Sequence, residues 1–230
     1  MLIKGLAKLT LLDYPGCVAC TVFTGGCNFK CPFCHNASLA LRAAALPSIP
    51  EEEVFELLRR RRGILDGICV SGGEPLLHPD LPEFLKKIKA LGYRIKLDTN
   101  GAYPDRLGAL IDHGLIDMVA MDIKNAPDKY PLTVGLPSFD MAPVRESAAL
   151  LMRGTLPYEF RTTVVREFHE KEDFEAIGTW IRGAAAYYLQ SFTDSGDVIK
   201  SNLHAHTAAT LEVFLATAKK YVSNTQLRGI

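Results

Sequence analysis

Three cysteines fall within eight positions of one stretch, Cys27-Asn28-Phe29-Lys30-Cys31-Pro32-Phe33-Cys34, directly behind Gly25 and Gly26. Thiolates this close together suit metal ligation, and three readings compete. A structural zinc site closes with four ligands, usually as two separated pairs. No second Cys-x2-Cys or histidine pair follows at that spacing, and His35 adjoins Cys34, so those two side chains diverge. Three unrelated buried thiols do not ordinarily gather in a Gly-Gly-Cys loop. A four-iron cluster is generally held by four thiolates, so three leave one iron open, and an open metal position is where a metal site does chemistry. Cys17 and Cys20 lie near enough in sequence to offer a fourth ligand. They sit three apart at an apolar run and point to opposite faces, so with Cys69 they read as core residues.

Other chemistry-bearing residues each follow an apolar run: Ser71-Gly72-Gly73-Glu74-Pro75, Asp98-Thr99-Asn100-Gly101 and Asp122-Ile123-Lys124. Gly72 and Gly73 either turn the chain or let backbone approach a ligand closely, and the Glu74 carboxylate beside them suits a ligand ammonium. Asn100-Gly101 is a turn signal. Asp98 and Asp122 each end an apolar strand, where a carboxylate is costly unless a cation or donors satisfy it. Lys124 falls on the same side as Asp122 if the strand continues that far; a structural ion pair is the plain alternative.

The elements that must position these residues alternate along the chain. Strands are expected at 18–24, 67–71, 94–98, 118–122, 158–165 and 186–192, mostly continuous apolar runs of the kind a buried parallel sheet uses. Helices are expected after Pro50, where Glu51 to Glu53 and Arg59 to Arg62 match the macrodipole. Others are expected from Asp80, with Glu83 as a capping-box partner, and over 173–185 and 206–222. The stretch 125–138 reads as a long loop. This pattern predicts a parallel α/β fold with right-handed crossovers, either a doubly wound open sheet or an incomplete barrel. In both, ligands sit at the carboxyl ends of strands, where the cysteine cluster and the three polar segments fall.

The 230 residues, 48% hydrophobic and 23% charged, suit a single domain over 1–230. Lys plus Arg and Asp plus Glu balance at 26 each, so no global field recruits nucleic acid or an acidic membrane. The chain start lacks an apolar export segment, and no run approaches the roughly 20 residues of a membrane helix. A cytoplasmic protein is expected, in which clustered cysteines bind metal instead of forming disulfides.

With these residues in place, a resemblance becomes specific. Cys27-x3-Cys31-x2-Cys34, with Phe33 before the last cysteine, resembles the signature of the radical S-adenosylmethionine (SAM) superfamily, and Gly72-Gly73-Glu74 resembles its Gly-Gly-Glu motif. Leu11-Leu12-Asp13-Tyr14-Pro15-Gly16, Phe23-Thr24-Gly25-Gly26-Cys27 and Cys34-His35-Asn36 are similar to activating proteins of glycyl radical enzymes, particularly of anaerobic ribonucleoside-triphosphate reductase. Asp98-Thr99-Asn100-Gly101 and Asp122-Ile123-Lys124 are similar to pyruvate formate-lyase activating enzyme.

The resemblance implies a parallel-stranded partial (β/α)6 barrel over 17–192, with 1–16 as an N-terminal extension and 193–230 as a C-terminal loop and helix. It implies an oxidoreductase with a [4Fe–4S] cluster on Cys27, Cys31 and Cys34, and SAM on the fourth iron. Phe33, Cys34 and His35 would lie beside the adenosine, and Gly72, Gly73 and Glu74 would receive the methionine ammonium. Asp98, Thr99 and Asp122 would surround a monovalent cation, and Asp122 and Lys124 would touch SAM. Gln190 stands where the pyruvate formate-lyase activator has a histidine near SAM, and Arg161 would reach the SAM carboxylate or pair with Asp122. The implied reaction is reductive SAM cleavage to a 5′-deoxyadenosyl radical that forms a glycyl radical on a partner enzyme, first of all anaerobic ribonucleoside-triphosphate reductase. A flavodoxin- or ferredoxin-type donor would supply the electron. The alternatives are another glycyl radical enzyme, a small-molecule or peptide substrate, or a non-catalytic iron–sulfur or zinc module.

Overall fold

The apolar runs form strands within one or two residues of their expected ends in the computed structural model, which describes residues 1–229. The strands are β1 Ile3–Thr10, β2 Ala19–Thr24, β3 Gly67–Gly72, β4 Arg94–Thr99, β5 Met118–Asp122, β6 Tyr158–Val164, β7 Tyr187–Ser191 and β8 Thr225–Arg228. The α-helices are α1 Ala37–Leu41, α2 Glu51–Arg60, α3 Leu81–Ala90, α4 Pro104–Asp112, α5 Tyr130–Thr133, α6 Ala142–Arg153, α7 Lys171–Trp180 and α8 Ala208–Lys219. The class is α/β with parallel strands, as expected. Contacts divide the chain into two compact units, Met1–Asn28 with Ser38–Ala120 and Phe29–Ala37 with Met121–Ile230.

In the first unit β1, β2, β3 and β4 lie side by side in chain order. β2 and β3 run parallel from Ala19 opposite Gly67 to Thr24 opposite Gly72, and β3 and β4 from Gly67 opposite Arg94 to Val70 opposite Leu97. Val22, Ile68, Val70, Ile95 and Leu97 are fully buried, as strands covered on both faces require. β1 joins β2 antiparallel and was not expected, because IKGLAKLT mixes charge and glycine into its alternation. α2 and α3 bury Phe55 and Phe84, whose rings sit 5.5 Å apart.

In the second unit β6, β7 and β8 are parallel and adjacent. β8 lies in the segment expected to hold only a loop and a helix. Its Arg228 makes two 2.9 Å bonds to the buried Glu159 carboxylate and lies over the Tyr188 ring, the bidentate and stacked geometry that suits a guanidinium. α7 and α8 pack through stacked Phe174 and Phe214 rings, 4.6 Å apart.

Helix ends explain the remaining differences. α7 starts at Lys171 instead of 173, because Glu170 and Asp173 form a reciprocal capping box. α8 starts at Ala208, capped by the Thr207 hydroxyl, which accepts from the Thr210 N–H at 3.2 Å. Asp80 makes no side-chain cap on α3; its carboxylate lies 2.5 Å from the Met1 ammonium. The stretch 125–138 contains α5 and is not a plain loop. Among the described residues no helix is long and apolar enough to cross a membrane.

Candidate functional site

In the first unit the segments after β2, β3 and β4 lock together through backbone. A Cβ on Gly73 would stand 1.9 Å from the Gly26 carbonyl oxygen, and one on Gly72 would meet Thr24 backbone at 2.3 Å. Gly72 also holds φ +120, a conformation that favours glycine. The two glycines therefore admit the strand end that leads into Cys27. The Glu74 N–H donates to the Gly26 carbonyl at 2.8 Å and the Gly73 N–H to the Thr24 carbonyl at 2.9 Å.

The Glu74 side chain is fully buried. Its Oε1 accepts from the Thr99 hydroxyl and the Leu76 N–H, each at 2.9 Å, and its Oε2 from the Asn100 N–H at 2.7 Å. It ties the turn after β3 to the turn after β4, while Gly72 and Gly73 are the half-buried groups of that turn. From the second turn the Asn100 amide Nδ2 reaches the Asn28 Oδ1 at 2.8 Å and the Cys27 Sγ at 3.8 Å.

Asp98 has a partner that sequence reasoning missed. The buried Lys96 ammonium lies 2.5 Å from its Oδ1, and the Ser71 hydroxyl donates to its Oδ2 at 3.1 Å. The signal was present, since residues two apart on a strand share a face.

In the second unit Cys31 is buried and Cys34 half-buried, and the Cys34 N–H donates to the Cys31 carbonyl at 3.0 Å. Asp122 and Lys124 form the ion pair given as the plain alternative, 2.8 Å apart, and Arg161 Nε lies 3.0 Å from the other Asp122 oxygen. Burial opposes ionisation of Asp122, but the charges of Lys124 and Arg161 outweigh it and hold the carboxyl at about 2. Burial likewise opposes charge on Lys124, and the Asp122 and Cys31 charges overcome it, keeping the ammonium protonated well above the usual lysine range. Burial pushes the Cys34 thiol up, while Lys124 pulls it down.

The loop bearing these cysteines is held on several sides. The Lys30 N–H donates to the Val134 carbonyl at 2.9 Å, and a Cβ on Gly135 would stand 2.4 Å from the Lys30 oxygen. Phe33 packs on Phe168 at 5.7 Å and on His169 at 6.3 Å. Chain beyond β7 adds Lys200 N–H to Pro32 carbonyl at 2.9 Å, Ser195 hydroxyl to His35 carbonyl at 3.1 Å and Ala37 N–H to Asp197 carbonyl at 3.2 Å. Gln190 stands in β7 opposite Thr163 and Arg228, half-buried. From this end Phe192 also reaches the loop, its ring 5.6 Å from His35. His169 was also missed: it is fully buried, with Nε2 donating to the Lys124 carbonyl at 2.9 Å and Nδ1 accepting from the Val165 N–H at 3.1 Å.

No disulfide joins the six cysteines, and Cys17, Cys20 and Cys69 are buried as expected. Cys17 packs with Tyr14 and Ala19, and burial drives the Cys20 thiol up to about 12, so both behave as core. Among the described residues no three His, Cys, Asp or Glu side chains gather to share one metal ion. A four-iron cluster asks for a different arrangement, one thiolate on each of separate irons. Within each unit the donors present suit cysteine ligands: an amide N–H faces Cys27, and the Lys124 charge acts on Cys31 and against the burial that raises the Cys34 thiol. The oxygens expected to hold a monovalent cation fit less well. Asp98 faces Lys96, Thr99 donates to Glu74, and Asp122 faces Lys124 and Arg161, so protein cations already compensate both carboxylates.

The parallel α/β fold and this cysteine loop agree with comparison to known proteins. The sequence model of the radical SAM superfamily matches residues 21–177, and the chain belongs to that superfamily. Membership implies an enzyme that uses SAM and a [4Fe–4S] cluster. The chain is 32% identical over 236 residues to a Methanocaldococcus jannaschii protein whose provisional name is glycyl-radical enzyme activating enzyme, with 100% of this chain and 96% of the relative covered. It is 29% identical over 194 residues to the pyruvate formate-lyase-activating enzyme of Listeria monocytogenes, covering 78% of this chain and 75% of that one. Among solved structures, a domain of the Bacteroides vulgatus pyruvate-formate lyase-activating enzyme matches at TM-score 0.58 and 16% identity, over 71% of this chain and 99% of that chain; this likeness shows the fold alone.

Proposed function

We propose that this chain is an activating enzyme that forms a glycyl radical on a partner protein, with anaerobic ribonucleoside-triphosphate reductase as the first candidate. The observation that carries the reading is the joining of three motifs in the first unit. Gly73 packs on the residue before Cys27, Glu74 takes the Asn100 and Thr99 donors, and Asn100 reaches Cys27. Full-length similarity to the archaeal relative supports the choice of activase within the superfamily.

In this reading Cys27, Cys31 and Cys34 hold three irons and leave the fourth to SAM. A cluster held by these cysteines would supply the electron that cleaves SAM reductively, and the cleavage would supply the hydrogen-abstracting power directed at the partner's glycine. The chain's own residues bind, orient and exclude water. Backbone at Gly72 and Gly73 receives the methionine ammonium, and Glu74 fixes that backbone from behind. Phe33, backed by Phe168 and His169, shields the cysteine loop from solvent, and His35 with Phe192 flanks the adenosine. Lys124, ionised and braced by Asp122, supplies positive charge for the SAM carboxylate. A flavodoxin- or ferredoxin-type protein supplies the electron.

The test mixes the anoxically reconstituted protein, SAM and a reductant with candidate glycyl radical enzymes and records electron paramagnetic resonance. The reading predicts a glycyl radical doublet on one of them. SAM cleavage with no doublet on any of them, accompanied by turnover of a small molecule or peptide, contradicts it.

A further inference from the structure

We infer that Asn100 donates a hydrogen bond to the Cys27 sulfur and raises the reduction potential of the cluster held there, with Glu74 as the residue that positions Asn100. The inference rests on the proposed reading of Cys27 as a cluster ligand.

The geometry defines the amide. The Asn100 Oδ1 accepts from the Ala102 N–H at 3.0 Å, which turns the Nδ2 end toward Cys27. A primary amide carries two N–H groups, and here one serves Asn28 Oδ1 at 2.8 Å and the other Cys27 Sγ at 3.8 Å. Asn100 is only 5% exposed, so little water competes for these bonds. The Cys27 thiol also lies 4.0 Å from Asn28 Oδ1. That contact needs the thiol proton and lapses on deprotonation, whereas the Asn100 donation strengthens when the sulfur carries charge.

Adding an electron to a cluster increases negative charge on its sulfurs. A donor aimed at one of them therefore stabilises the reduced form more than the oxidised form, one of the levers by which proteins set cluster potentials. The donor must also be held in place. The Glu74 Oε2 accepts from the Asn100 N–H at 2.7 Å while its Oε1 takes the Thr99 hydroxyl and the Leu76 N–H. A glutamine at 74 keeps the size and one acceptor oxygen, but its amide nitrogen cannot accept from the Asn100 N–H.

The experiment reconstitutes wild type, Asn100→Asp, Asn100→Ala and Glu74→Gln anoxically, measures iron content, and follows the cluster's one-electron couple by redox titration with electron paramagnetic resonance. The expected result is wild-type iron content in each variant. Both Asn100 variants shift the couple to more negative potential, and Glu74→Gln shifts it by a smaller amount in the same direction. Full iron content with a wild-type couple in Asn100→Ala and Glu74→Gln overturns the inference and leaves the proposed function standing. If the Asn100 variants take up no iron, Glu74→Gln decides by the same criterion. A wild-type protein that takes up no iron overturns the proposed function and this inference with it.

Discussion

Lys96 places its ammonium 2.5 Å from the Asp98 carboxylate, with only 1% of the lysine side chain exposed. Removing one member of such a pair leaves a buried charge alone, which costs about 3–5 kcal/mol, whereas replacing both by apolar groups is often neutral. Lys96→Met is expected to destabilise the protein by that amount in urea unfolding, and Lys96→Met with Asp98→Leu to recover most of it. Additive losses in the double variant would show that the pair is not coupled.

The same pairing bears on ions. Lys96 stands against Asp98, and Lys124 and Arg161 against Asp122, so protein cations offer the charge compensation that an alkali metal would otherwise supply. SAM affinity of the reconstituted protein is expected to be equal in sodium, potassium and a bulky organic cation at matched ionic strength. Severalfold weaker binding in the organic cation alone would contradict this.

Gly73 is fixed by space. A methyl there would stand 1.9 Å from the Gly26 oxygen and 2.6 Å from its carbonyl carbon, a clash that only backbone movement next to Cys27 relieves. Gly73→Ala is expected to lose about 3 kcal/mol of stability and to bind iron poorly after reconstitution. Wild-type iron content and unfolding midpoint would refute it.

His169 gives stability a pH dependence. Burial lowers its pKa below the ordinary 6.5, so below that pH the unfolded chain binds a proton that the folded chain refuses. Its contribution is complete above 6.5 and declines as pH falls through that value toward the folded pKa, with a slope of at most about 1.4 kcal/mol per pH unit. Unfolding free energies between pH 5 and 8 are expected to show this decline, and His169→Gln, which retains a donor for the Lys124 carbonyl, to lessen it. An unchanged slope in the variant would remove His169 as its source.

Sequence carried much of the site because its markers break the apolar pattern. The three cysteines, Gly72-Gly73-Glu74 and the aspartates ending β4 and β5 stand where strand composition stops. The bonds that Glu74 makes were less legible, because only the backbone path brings Thr99, Asn100 and Leu76 to its carboxylate. Lys96 hid inside a strand, where a single lysine in an alternating pattern reads as solvated. β8 is four residues long and α5 begins one residue before a proline, too little for periodicity to register. His169 and Phe192 act through packing and backbone carbonyls, which no local pattern encodes.

Cys27, Cys31 and Cys34 are proposed to hold a cluster with an iron left open for SAM. Anoxic reconstitution followed by SAM and dithionite tests it directly. The expected result is about four irons per chain, equal amounts of 5′-deoxyadenosine and methionine from the wild type, and neither from Cys31→Ser. Wild-type cleavage by Cys31→Ser, or intact SAM after full iron loading of the wild type, would contradict it.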